Sequence, residues 1–258
     1  MKLLASRNPR LGRAISTALG ALETPLLDAA HWLERRGWAG ALDWFYPKFA
    51  KFYGSRVVPI DASLEGVHVV SPTEEIKRII RRVPALSVGW CYCRRKHGNC
   101  STSIWTCIHV GTAKQLDELA KRTPLKSATI EEVERLLDAA QRHGLVHQLI
   151  TAPTSDYVYV ICNCCPCCCT ILRELRQRGL KGVVVESPFV AVDDASKCTG
   201  CGLCVARCAF GARTNGGLKG GRTEVTHVAL KCFGCGLCVT SCPAGAIRLK
   251  RRSSSVNA

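Results

Sequence analysis

The chain is short of acid, of aromatic rings and of methionine. Its 258 residues hold 20 Asp and Glu against 36 Lys and Arg, a single Met, and only 6% Phe, Trp and Tyr. So few rings argue against a protein that stacks bases, and no nucleic-acid partner is expected. No run of about 18 uncharged apolar residues is present, so nothing reads as a membrane-spanning helix. The glycine-rich stretch Asn215 to Gly221 lacks the strand and helix context of a G-x-G-x-x-G site, so no built-in hydride donor is indicated. Arg7, Arg10 and Arg13 precede an uncharged stretch from Ala14 to Leu22, without a twin arginine or an A-x-A-like site and with Gly20 interrupting it. That stretch reads as an amphipathic helix rather than a leader, and a cytoplasmic, reducing location is expected.

What the chain has in excess is cysteine, 18 in all. They fall in three packed groups, Cys91 to Cys107, Cys162 to Cys169 and Cys198 to Cys242. Disulfide scaffolds are short, secreted and spread their cysteines through loops. Here many are spaced CxxC, too close to bridge one another without strain and well suited to wrapping metal. Metal is the expected role.

The fold class expected is α+β, in three parts with a short tail. Residues 1–60 read as helical hairpins, with Thr24 as N-cap, Pro25 at the first helical position and Gly37 as a stop. Residues 61–187 read as an α/β cysteine-rich domain. Its signals are a capping box at Ser71 and Glu74 before a helix carrying Ile76, Ile79, Ile80 and Val83, and a second at Thr129 and Glu132 before a helix stopped by Gly144. Strands are expected over Leu145 to Ile150, Tyr157 to Ile161 and Gly182 to Val185, and a helix over 170–178. Residues 188–250 form the third part, and 251–258 read as a disordered basic and serine tail.

Two runs carry the most specific signal. Cys198, Cys201, Cys204 and Cys208 form C-x2-C-x2-C-x3-C, and Cys232, Cys235, Cys238 and Cys242 repeat it, followed by Pro243. This doubled run holds two 4Fe–4S cubanes, the fourth cysteine of each run ligating the other cluster. One cluster is therefore expected on Cys198, Cys201, Cys204 and Cys242, and the other on Cys232, Cys235, Cys238 and Cys208. Glycines within the loops permit positive φ and leave N–H groups free for sulfur. Ala209 stands where a proline is usual, and the Gly-rich insert lengthens the connection; neither is a ligand.

Ten cysteines remain. Cys91, Cys93, Cys100 and Cys107 form C-x-C-x6-C-x6-C among Arg94, Arg95, Lys96, His97 and His109. Cys162, Cys164, Cys165, Cys167, Cys168 and Cys169 form CNCCPCCC where a strand is expected to give way to a helix. Such a junction lowers thiol pKa values through N–H groups and the helix dipole. Adjacent side chains point different ways, so some must face one metal site and some another partner. One or two further iron–sulfur clusters are expected, as two cubanes with two thiols left over or as one larger assembly. His97 and His109 are candidates to ligate or tune a cluster.

The CxCR element, a Gly-Leu-Val-His segment before ICNCCxCCC, and the doubled run together resemble a family of anaerobe iron–sulfur proteins described as 4Fe–4S ferredoxin-type. The resemblance covers roughly residues 60 to 250 and implies electron transfer in anaerobic metabolism. Pro166 stands where relatives often have glycine. The CC pairs are also similar to those of heterodisulfide reductase cysteine-rich domains, without the longer spacings of that motif.

The preferred reading is an electron-transfer protein relaying between the doubled-run domain and a further cluster in the middle domain. The alternative is an oxidoreductase subunit whose middle cluster acts on a disulfide, thiol or other small substrate. Each oxidised all-thiolate cubane carries about −2, so four would leave roughly half the formal +16. That basic remainder suits an acidic redox partner or an anionic membrane face, making the protein at most peripheral to a membrane.

Overall fold

A computed structural model describes residues 54–58, 79–151, 158–178, 186–219 and 222–252, with isolated positions within 25–40 and at 76 and 184. The middle part is built on a six-stranded sheet in the order β1-β5-β6-β3-β2-β4. Its strands are β1 Gly54–Val58, β2 Ala85–Trp90, β3 Trp105–Gly111, β4 Leu125–Ser127, β5 Val146–Thr151 and β6 Val158–Cys164. Every pairing is antiparallel. The expected α/β middle domain is thus corrected to an antiparallel sheet with helices beside it, because neighbouring strands of the sheet run in opposite directions and no parallel crossover joins them.

Gly54–Val58 is also a correction, since the helical region was expected to run to residue 60. The β-branched pair Val57 and Val58 extends along the edge of β5, with Val58 opposite His147. Gly37 does stop a helix: its φ is 76°, and the N–H of Trp38 donates to the carbonyl of Leu33 at 3.0 Å. Ser71, Pro72 and Glu74 lie outside the described residues, but Ile76, Ile79 and Ile80 are helical, and Ile76 and Ile80 are fully buried in the main core with Ile108, Leu137 and Ile161.

The helices are α1 Tyr92–His97, α2 Ala113–Ala120, α3 Ile130–Arg142 and α4 Thr170–Arg178. In α3 the expected capping box is complete: the N–H of Glu132 donates to Thr129 Oγ1, and the N–H of Thr129 donates to Glu132 Oε2. Gly144, at φ 75°, closes it, and the N–H of Leu145 donates to the carbonyl of Ala140. Of the strand expected over Gly182 to Val185, only Val184 is described, as a buried bend.

The C-terminal part contains β7 Phe189–Asp193 paired with β10 Ile247–Arg251, and the hairpin β8 Arg213–Lys219 with β9 Arg222–His227. Residues 215–219 of the Gly-rich insert belong to β8. Two four-residue helices, α5 Leu203–Ala206 and α6 Leu237–Thr240, follow the two cysteine loops. Arg251 and Arg252 belong to the fold and not to the tail: Arg251 ends β10, while Arg252 donates to the carbonyls of Ser187, Phe189 and Cys232. The residues beyond 252 lie outside the described part.

Candidate metal centres

The two C-terminal runs have one backbone plan, drawn twice. Positive φ at Gly200, Gly202 and Gly211 recurs one repeat later at Gly234, Gly236 and Gly245. Gly234 could not be replaced, because a Cβ there would collide with the carbonyl of Phe189. The fourth cysteine of each run accepts from the backbone four residues on: the N–H of Ala212 reaches Cys208 Sγ at 3.2 Å, and that of Ala246 reaches Cys242 Sγ at 3.3 Å. Such donors stabilise anionic sulfur.

Cys208, Cys232, Cys235 and Cys238 line one cavity together. His227, whose buried Nε2 has no hydrogen-bond partner among the described residues, lines it too. Thiols and an orphaned ring nitrogen around one cavity fit a sulfide-bearing cluster. Burial pushes Cys235 far up and Cys238 up to about 12, against the pull of Arg213 on Cys238, so these two thiols resist ionisation without metal. Cys201 is exposed, whereas Cys235 is half-buried and packs against an apolar cluster.

Residues 197–246 match the family described as a 4Fe-4S dicluster domain. No curated protein and no solved structure was found to match the chain. The dicluster domain accounts for eight of the cysteines and leaves the other ten to the middle sheet.

Those ten are sorted by the sheet into two sets. β6 runs on through the CNC triplet to Cys164, so Cys162 and Cys164 share one face and Asn163 takes the other. Ile108 pairs with Ile161 in the β3–β6 ladder, and one step along that register sets Cys107 beside Cys162. The first set is a row of thiols in contact: Cys91 with Cys107, Cys107 with Cys162, Cys162 with Cys164, Cys164 with Cys169, and Cys169 with Cys93. The second set follows the turn after β6. Cys100 Sγ lies 3.7 Å from both Cys165 and Cys168, and Cys167 Sγ lies 3.8 Å from Cys168. Its four sulfurs, Cys100, Cys165, Cys167 and Cys168, all fall within 4.8 Å of one another.

The electrostatics of the six-thiol row show how strained it is without metal. Hydrogen bonds from Cys162 and Cys169 bring Cys164 down to about 6, and bonds from Cys162 and Cys91 hold Cys107 well below the usual thiol range. Those donors are themselves held up: Cys91 by its bond to Cys107, and Cys162 by its bonds to Cys107 and Cys164. Raised and lowered thiols thus alternate from Cys91 to Cys169, because adjacent negative charges repel, and Cys93 at the end of the row is raised as well. In the second set, burial opposes ionisation of Cys100, but the backbone and hydroxyl of Thr102 and the thiols of Cys168 and Cys165 outweigh it and bring Cys100 to about 6.

Arg94, the arginine of the CxCR element, stands between the two sets. It is 2% exposed and donates to the carbonyls of Ser103 and Asn163 and to Thr106 Oγ1. It also contacts Cys165 and faces Cys91 and Cys100. Burial disfavours its charge, but those sulfurs more than compensate and raise its pKa further. Of the two histidines flagged from sequence, His97 lies 3.4 Å from Thr170 Oγ1, and its Nδ1 is 3.1 Å from Arg173 Nη1. His109 follows Cys107 on the same face of β3, and burial lowers its pKa.

His147, which the sequence offered only as the end of the Gly-Leu-Val-His segment and not as a site residue, proves central. It is buried directly opposite Asn163 in the β5–β6 ladder. Its Nδ1 lies 2.5 Å from Asn163 Oδ1 and its Nε2 lies 3.0 Å from Gln141 Oε1. Asn163 Nδ2 donates to the carbonyl of Thr106, and Gln141 Nε2 donates to Thr240 Oγ1 in α6. A buried polar chain therefore links the CNC strand to the dicluster domain.

Proposed function

We propose that this chain is an iron–sulfur electron-transfer protein in which the dicluster domain exchanges electrons with a cysteine-ligated centre of the middle domain. The observation that carries the reading is that Cys235 packs in one apolar cluster with Cys162, Cys164 and Cys169, around Val146, Leu172 and Leu237. When bound, the clusters supply reversible one-electron chemistry at low potential. The chain's own residues do the rest. The crossed sets Cys198, Cys201, Cys204, Cys242 and Cys232, Cys235, Cys238, Cys208 hold the two cubanes, and the shared cavity of the second set supports that assignment. Exposed Cys201 gives one end access to a partner, and the apolar cluster around Cys235 excludes water from the other.

The basic surface suits an acidic redox protein or an anionic membrane face, and the thiol-rich sites suit the cytoplasm. No helix among the described residues is long and apolar enough to cross a membrane.

One observation favours a second reading, an oxidoreductase acting on a disulfide or thiol: the middle row holds six thiols where a cubane needs four. Stopped-flow reduction of the anaerobic full-length protein, read by EPR, separates the two. The relay is expected to reduce every cluster rapidly with no added substrate. Steady turnover of a disulfide that Cys164→Ala abolishes, with the dicluster signals intact, would overturn it.

A further inference from the structure

We infer that Cys100, Cys165, Cys167 and Cys168 bind a single tetrahedral thiophilic ion, zinc or ferrous iron, separate from any iron–sulfur cluster. The inference goes beyond the relay and rests on the geometry of these four sulfurs alone. Metal–sulfur bonds of about 2.3 Å in a tetrahedron place the sulfurs about 3.8 Å apart. Three of the six separations within the set are 3.7, 3.7 and 3.8 Å, and no pair exceeds 4.8 Å. A cubane binds each thiolate to a different iron corner, so its thiolate sulfurs stand well apart and do not touch.

The surroundings complete a closed structural site. All four ligands come from the chain, which is the arrangement of a structural ion rather than of one left open for chemistry. Cys165 and Cys168 are buried against Ala140 and Leu145, with Cys100 and Cys167 partly covered. Four thiolates around a divalent ion carry a net −2, and binding releases the protons that the thiols still carry. Facing that charge are the Arg94 guanidinium on Cys165, the N–H and hydroxyl of Thr102 on Cys100, and the N–H of Asn99 on Cys168. The side chain of Asn99 also donates to the carbonyl of Cys167 at 2.8 Å, tying the loop that bears Cys100 to the turn that bears the other three. The ion would lock these two segments together, leaving the six-thiol row for redox chemistry.

The test uses the anaerobically purified full-length protein, with iron, zinc and acid-labile sulfide counted per chain. Cys100→Ser combined with Cys167→Ser is expected to lose one metal ion and no sulfide, with iron in the clusters unchanged. Loss of about four irons together with about four sulfides would overturn the inference and make the set a cubane. Should the variant fail to fold, the unaltered protein decides. X-ray absorption at the zinc edge, or Mössbauer spectra for iron, should show one ion with four sulfur neighbours and no neighbouring metal. Absence of any such ion overturns the inference. A failed relay is seen differently, as absent electron exchange with this metal count intact.

Discussion

Both carboxylate oxygens of Asp193 hold the guanidinium of Arg213, at 3.1 and 2.6 Å. The arginine side chain is 2% exposed, so it is a fixed charge and not a surface ornament. It contacts Cys204 from the first run and Cys238 from the second, one thiol of each proposed ligand set. A cation so placed stabilises the more negative, reduced form of both clusters. Arg213→Met is expected to lower both midpoint potentials, on the order of 60 mV each, equivalent to tenfold per electron. Arg213→Lys should recover part of the shift, since it keeps the charge but not the fork. EPR-monitored redox titration checks this; movement of only one potential would show that the arginine serves a single cluster.

The proposed crossed ligand sets have a direct mutational signature. Cys208→Ala is expected to remove the cluster bound by Cys232, Cys235 and Cys238, whose cavity Cys208 shares, while the cluster on Cys198, Cys201 and Cys204 persists. Cys242→Ala should do the reverse. Iron counting and EPR of the full-length variants read the outcome, and loss of the same-run cluster in either case would reject the crossing.

His227 supplies a pH dependence of known sign. It pairs with Arg213 across the β8–β9 hairpin, and burial followed by the charge of Arg213 lowers its pKa from 6.5. The folded state therefore binds the proton less readily than the unfolded chain does. Its contribution to stability is present above about pH 6.5 and is lost as the pH falls below that value towards the folded pKa. The temperature at which cluster absorbance bleaches should fall with acidification in this window, and His227→Gln should flatten that slope.

Asn163 is fully buried, and its side chain serves both the carbonyl of Thr106 and the ring of His147. Asn163→Leu keeps the volume but removes the bonds to the carbonyl of Thr106 and to Nδ1 of His147 in a buried core. The expected cost is about 3 kcal/mol. Chemical denaturation of the anaerobic protein measures it, and a loss below about 1 kcal/mol would show that the polar chain is not holding the strand.

Local signals were legible and long-range ones were not. Thr129 and Glu132 announced α3 because a capping box is a contact within one turn. The same device at Thr112 and Gln115 opens α2 and could have been read from T-x-x-Q, but its apolar face is narrow, with only Leu116 buried. The doubled cysteine run showed its cluster logic in spacing alone, since each loop makes its own turns. The division of the other ten cysteines was hidden, because it depends on the β3–β6 register and on β6 continuing through Cys164. His147 was hidden for the same reason: its partner Asn163 becomes its neighbour only when β5 and β6 pair.

Arg94 offers the sharpest test of how the middle sites are held. It lies among Cys91, Cys100 and Cys165, in contact with Cys165 of one thiol set and facing Cys91 of the other, and its own Nε finds no partner among the described residues. An unpaired buried donor costs stability unless something answers it, and thiolate or sulfide sulfur is the natural acceptor here. Without the guanidinium, the middle sites would gather negative charge with no buried cation beside them. Arg94→Met is therefore expected to lose the middle-domain metal while the dicluster domain, whose own arginine is Arg213, keeps about eight irons. Arg94→Lys should retain the charge yet forfeit the simultaneous bonds to Ser103, Thr106 and Asn163, giving partial occupancy. Metal and sulfide counts on the three proteins, prepared in parallel, read this directly. Full middle-domain occupancy in Arg94→Met would mean that the arginine only braces the strand, and its charge would then have no part in holding the thiolates.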